Sequence, residues 1–182
     1  MTLSAFDPEI LTTQTFLESA PMTQPPVTTI AQEPPDQPEI HAFFAASEAY
    51  MSALYPAESN HFIDMSTLAK PNVRFFVARR GTVAIGCGAI VGTPGNGGEI
   101  KRMWIDPSIR RAGVGRLLLA ALIAHARAEG LRLLRLETGI AQPEAIALYR
   151  AAGFADCPPF GDYKPDPLSL FMELPLSTAA GA

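Results

Sequence analysis

At 182 residues, 48% of them apolar and with a formal charge of −4, the chain is long enough for one α/β domain with a real core and too short for two well-filled ones. Its two cysteines, Cys87 and Cys157, lie far apart with no metal-type spacing, which argues against a disulfide framework and for a reducing cytoplasm. The longest apolar run, Leu117–Ala124, is well short of the ~18 residues that span a bilayer, and no Lys/Arg-rich block marks the chain as a nucleic-acid binder.

The stretch through Pro38 holds seven prolines and no glycine, and residues 1–25 read as a mobile lead-in to a single domain over residues 26–176, with a flexible tail at 177–182. No basic n-region suggests a signal peptide, and Met22 opens a plausible second start. An edge strand is expected at Val27–Ala31. Asp36-Gln-Pro-Glu39 reads as a capping box, followed by a helix whose apolar residues Ile40, Phe43, Phe44, Met51 and Leu54 keep nearly a 3.6 period. That helix should stop at Tyr55, because the residue before Pro56 resists the α region.

Three strands follow, VRFFVARR, TVAIGCGAIV and GEIKRMWI, the first two joined by a tight turn at Arg80-Gly81 and the last two by a longer loop over Gly92–Gly98. A second helix runs from about Gly113 to Glu129, with Gly130 as its left-handed stop. LRLLRLET is a strand, Pro143–Ala152 a short helix with proline at its start and Gly153 past its end, and LSLFMEL a last strand. The order predicts a mixed sheet with helices on its faces.

The stretch RRAGVG, Arg110–Gly115, stands between a strand and the long helix. Amides at a helix N-terminus have no intrahelical partner, and with the helix dipole they favour an anion. Gly113 and Gly115 allow close approach of backbone to phosphate oxygens, and Arg110, Arg111 and Arg116 add fork-shaped donors. A Walker A loop is excluded, because Gly92–Gly97 is followed by Gly98 rather than lysine, and a dinucleotide GxGxxG fails at Leu118.

What remains, Arg110-x-x-Gly113-x-Gly115 after the Ile105-Asp106-Pro107 turn, is followed by A-x-x-L-Y-x-x-x-G-F at Ala145–Phe154. In this order and spacing the stretch resembles the acetyl-CoA-binding core of the GNAT N-acetyltransferases, a likeness that covers roughly Val73–Leu174. The ending PPFGDYKPDPLSLFMEL is similar to that of a branch of small bacterial members. One departure is Gln142, where the family often has Asn seven residues before the Tyr.

The resemblance implies a GNAT fold, a mixed and mostly antiparallel sheet flanked by helices on both faces. It implies an enzyme that moves acetyl from acetyl-CoA to a primary amine of a small molecule by direct attack, with no metal. Met103, Trp104 and Ile105 would meet the donor mainly through backbone, one amide serving the oxyanion. Arg110, Arg111, Ala112, Gly113, Val114, Gly115 and Arg116 would hold its pyrophosphate, and Gln142 its arm. Tyr149 is the candidate acid for the departing thiolate, and Glu99 the candidate base, with Glu137 its competitor. Tyr55, Asn60 and His61 are candidate acceptor contacts. Each also has a plainer reading: Trp104 and Tyr149 as core packing, Glu99 as a solvated strand end, and Tyr55, Asn60 and His61 as satisfied loop polar groups. His125, inside an alanine-rich helix, reads as structural.

A protein or peptide acetyltransferase, a longer-chain acyl transferase and a non-catalytic acyl-CoA sensor stay open, as does a homodimer. Charge adds one expectation. Residues 1–69 carry −9 and residues 70–182 carry +5, which points to a cationic acceptor drawn by Glu58 and Asp64.

Overall fold

The computed structural model describes residues 27–176. Strand β1 (Thr28–Gln32) leads into helix α1 (Pro38–Leu54), a one-turn helix α2 (Met65–Leu68), and the strands β2 (Val73–Arg80), β3 (Val83–Thr93) and β4 (Gly97–Ile105). Helix α3 (Val114–Ala128), β5 (Leu133–Gly139), α4 (Pro143–Ala151), β6 (Ala155–Asp156) and β7 (Ser169–Pro175) complete the order. The seven strands form one sheet, β1-β2-β3-β4-β5-β7-β6, antiparallel at every junction except β4–β5. The expected α/β architecture is therefore present, with α2 and β6 as additions too short to give a periodic signal.

Alternation along the strands sends one set of side chains to each face. Phe76, Ile90, Ile100, Leu134, Leu136 and Met172 meet α3, whose stripe Leu118, Leu119, Leu122, Ile123 and Ala126 is buried. Phe75, Val77, Cys87, Ala89 and Trp104 point the other way, against Ile40 and Phe44 of α1 and Leu68 of α2. Each large apolar side chain so enclosed is worth about 1.5–3 kcal/mol, and the two stripes commit the helices to opposite faces of the sheet.

Two local readings need correction. The capping box does not form: Gln37 is the N-cap of α1 without a side-chain cap bond, and Asp36 accepts from His41 at 2.8 Å. The pairing of β1 with β2 brings Arg79 to this corner, where its guanidinium donates to Glu33, Gln37 and Glu39 at 2.7–3.0 Å. A cation that binds three partners outcompetes one backbone amide for Glu39, and the Arg79 bond holds the Glu33 carboxyl below its ordinary value. The β3–β4 connection is also tighter than expected. The strands extend to Thr93 and from Gly97, and left-handed Gly95 and Asn96 close the turn. The stops at Tyr55 and Gly130 fall as expected. The lead-in, the Met22 start and the tail lie outside the described residues.

Candidate active site

The site begins where β4 and β5 part. Parallel strands here share only three rungs, Gly97–Leu133, Gly98–Leu134 and Glu99–Arg135, and then separate. Beyond Glu99 the β5-facing edge of β4 has no strand partner, whereas β5 stays paired with β7 to Gly139. A bulge adds to the divergence. Cys87 faces Trp104 and Ala89 faces Lys101, so Arg102 and Met103 together oppose Gly88. Arg102 takes a left-handed φ of 52°, rare for a residue with a side chain.

The sequence reading passed over Arg102, yet its side chain anchors this distortion. Its Nε donates to the Ile63 carbonyl at 2.8 Å and its Nη1 to Glu48 at 2.7 Å, and the guanidinium lies against the Phe44 and Phe62 rings. Only 6% of the side chain is exposed. Arg102 thus ties the bulge to α1 and to the loop over the sheet. Replacing it by Met keeps the apolar stem and loses the charge-assisted bonds, so urea denaturation should show a loss of at least about 1.5–3 kcal/mol.

Three cavities meet along the parting strands. One groove of about 430 Å³ is lined by Met103, Trp104, Ile105, Arg110, Arg111, Val114, Gly115, Gln142 and Tyr149 among others. At its far end the α3 N-terminus begins at Gly113, φ 80°, preceded by left-handed Arg111, φ 68°. Left-handed residues in such a turn aim successive N–H groups at one point, an anion nest. Arg110 lies over the Tyr50 and Trp104 rings at 5.4 and 4.8 Å. Arg116 is exposed, its guanidinium 3.6 Å from where a Cβ on Gly113 would stand. Ala112, Gly113 and Arg116 flank the groove without lining it. The Trp104 indole N–H is buried and has no partner among the described residues.

A neck of about 110 Å³ continues from the groove, lined by Met103, Trp104, Gln142, Tyr149, Glu137, Lys101 and His61 among others. Tyr149 is 7% exposed and its hydroxyl sits 3.7 Å from the Met103 sulfur. Burial, and then the Glu137 charge, push its phenol above the ordinary value. Gln142 is the N-cap of α4 and turns its amide to the Met51 sulfur at 3.2 Å. Glu137 accepts from Ser169 at 2.7 Å; burial raises its carboxyl, against the lowering effects of Ser169, His61 and Lys101.

Past the neck opens a cleft of about 1090 Å³ between the 56–63 and 160–168 loops. Glu99 lies on its floor, accepting from Tyr163 at 2.6 Å and from Lys101 at 3.1 Å, and Lys101 also meets the Tyr163 hydroxyl. Tyr163 was not anticipated. Its only sequence signal is an aromatic residue in the proline-rich approach to the last strand. His61 and Asn60 line this cleft, His61 with its ring edge-on to Tyr163 and Asn60 with a buried carbonyl oxygen that lacks a partner among the described residues.

Tyr55 is elsewhere. It is buried against Gly139, its hydroxyl accepting from the Ala141 amide at 2.8 Å, so it pins the end of α1 to the β5–α4 turn. A side chain on Gly139 would overlap that ring. Asp64 is also withdrawn, because its carboxylate caps α2 through Thr67 and Ser66. Glu58 does line the cleft, but so do Lys101, Arg135 and Lys164 beside Glu99, Asp162 and Asp166. Both halves of the chain build this wall, so the charge split in the sequence does not become a one-sign field. His125 stacks edge-on to Phe76, remote from these cavities. Among the described residues no His/Cys/Asp/Glu cluster fits a metal, and no helix is long and apolar enough to cross a membrane.

The model of the acetyltransferase (GNAT) family matches residues 34–154. An IAA acetyltransferase from Azospirillum brasilense is 53% identical over 152 residues, 83% of this chain and 99% of that protein. A candidate acyl-CoA N-acyltransferase from Klebsiella pneumoniae superposes with a TM-score of 0.73 at 42% identity, over 83% of this chain and 99% of its own. A Bacillus subtilis acetyltransferase crystallised with CoA shares the fold, with a TM-score of 0.61 at 16% identity over 83% of this chain and all of its own.

Proposed function

The chain belongs to the GNAT acetyltransferase family, and from that premise we propose that it transfers acetyl from acetyl-CoA to a primary amine of a small molecule. The parting of β4 from β5 next to the Arg110–Gly115 turn carries this reading: an unpaired strand edge with an anion nest at one end suits a pantetheine amide chain ending in pyrophosphate.

In this reading the amides of the Arg111–Gly115 turn hold the pyrophosphate, with Arg110 and Arg116 supplying charge. An amide of the Met103–Ile105 segment stabilises the oxyanion that forms as the amine attacks. Trp104 lines the groove and Gln142 the wall at the α4 N-terminus. Tyr149, a phenol and so protonated at neutral pH, gives its proton to the departing thiolate. The 56–63 and 160–168 loops form the acceptor cleft, with Asn60 and His61 in contact with the amine-bearing molecule. Two thiols without a disulfide, with acetyl-CoA as donor, support a cytoplasmic reading.

An amine panel with thiol release and product mass tests the reading. It should span amino acids, polyamines, aminoglycosides and peptides, and include IAA, the molecule in the name of the A. brasilense relative. One or more small amines should give an acetylated product. CoA binding with no thiol release from any acceptor would make the protein a sensor instead. CoA affinity measured by calorimetry should fall as salt rises from low to about 1 M, because exposed arginines act through screened charge.

A further inference from the structure

We infer that Arg102 is a positioning residue for the transfer step, one side chain that sets both the strand segment meeting the donor and the loop walling the acceptor; this rests on the acetyltransfer reading above. Backbone conformation is the first observation. Among the described residues three other than glycine have positive φ: Asn96, Arg102 and Arg111. Asn96 and Arg111 lie in turns, whereas Arg102, φ 52°, lies inside β4. A left-handed residue with a side chain is strained, and such strain persists only where the surroundings hold it.

Here the side chain itself does the holding. Nε and Nη2 both donate to the Ile63 carbonyl, and Nη1 donates to Glu48 of α1 at 2.7 Å. The guanidinium stands 4.4 Å from the Phe44 ring centroid and 5.1 Å from that of Phe62. Helix α1 and the 56–63 loop are thus fastened to β4 at one point. The arrangement needs a planar, forked head, because an ammonium is a point charge that cannot grip a carbonyl twice while lying against rings.

That point stands between the two halves of the reaction. Arg102 lines the neck and immediately precedes the Met103–Ile105 segment that is proposed to bind the oxyanion. Met103 carries the sulfur beside the Tyr149 hydroxyl. On the other side His61, Phe62 and Ile63 line both the neck and the outer cleft. Freed from Arg102, the β4 amides and the acceptor wall lose their fixed relation. The Arg110–Gly115 turn keeps its shape, because it is set by the start of α3. A misplacement of about 1 Å between reacting groups costs on the order of 100-fold in rate, so the loss should fall on turnover and on acceptor binding, not on hold of the donor.

The test uses the full chain and whichever amine the wild type acetylates. Arg102→Gly tolerates the left-handed backbone and removes only the anchor. Its kcat should fall about 30–100-fold and the amine KM rise severalfold, while CoA affinity stays within about threefold. Guanidinium chloride at about 10 mM, far below denaturing concentrations, should restore part of the lost kcat, and potassium chloride at the same concentration should not. A merely structural role predicts neither the split between kcat and CoA affinity nor that rescue. Arg102→Lys keeps the charge without the fork, and its kcat should still drop about 10-fold. It carries the test if Arg102→Gly does not bind one CoA per chain in calorimetry.

Three results overturn the assignment: near wild-type kcat in a variant that binds one CoA per chain, CoA affinity that falls in step with kcat, or turnover of Arg102→Gly that guanidinium leaves unchanged. Absence of thiol release by the wild type with any amine would instead overturn the activity on which it rests.

Discussion

Tyr149→Phe is expected to lower kcat by about 10²–10⁴-fold while leaving CoA affinity and folding intact. The substitution removes only the hydroxyl. The ring keeps its place in the core beside Phe154, their centroids 5.9 Å apart, and the one bond lost is the long contact to the Met103 sulfur. A sulfur acceptor at 3.7 Å contributes little, so the thermal midpoint should move by no more than a degree or two, in keeping with a loss well under 1 kcal/mol. Stopped-flow thiol release with calorimetric CoA titration separates the two effects. Near wild-type turnover in the variant would return Tyr149 to a packing role.

The second large effect is at the turn before α3. Gly113→Val should weaken CoA binding by about 100-fold or more, the equivalent of roughly 3 kcal/mol of charge-assisted hydrogen bonding. At φ 80° a β-branched residue is strained by about 1–2 kcal/mol and will push the turn out of shape, so the nest amides lose their common aim. A control shares the backbone penalty without the site: Gly130, φ 73°, ends α3 at its other terminus and has open space around its Cβ direction. Gly130→Val should therefore cost similar stability and leave CoA affinity unchanged. Equal affinities in the two variants would remove the pyrophosphate assignment.

These expectations could be framed from the chain alone because the cofactor side of the site is local. The α3 N-terminus and left-handed Arg111 and Gly113 lie within six consecutive residues, Arg110 to Gly115, and helix-end chemistry needs only neighbours in sequence. The same holds for the element boundaries. Proline after Tyr55 and glycine at positions 130 and 153 act on their own backbone, and each helix ends where they say.

The outer cleft, the proposed acceptor side, was not legible, because it is assembled from segments that meet only after the sheet forms. Asp64 looked free and is a helix cap; Tyr55 looked like a loop contact and is a buried pin. Tyr163 lies 64 positions from Glu99 and Arg102 lies 54 from Glu48, and no local pattern encodes those bonds. The capping box failed for a like reason, since the strong local pattern at Asp36–Glu39 lost to Arg79, 40 residues on, once β1 had paired with β2.

The sequence by itself thus determined the order of the main strands and helices, the two-faced sheet and the glycine-rich turn at the α3 N-terminus, all of which follow from periodicity and from turn residues acting on adjacent backbone. Only the tertiary structure decided which carboxylate stands in the neck. Glu99 and Glu137 are both strand residues on the same face, and nothing in their flanking residues says that β4 and β5 stay joined at one and have separated by the other. A bulge held by Arg102 against α1 and the 56–63 loop adds to that separation, through distant contacts that exist only in the folded chain.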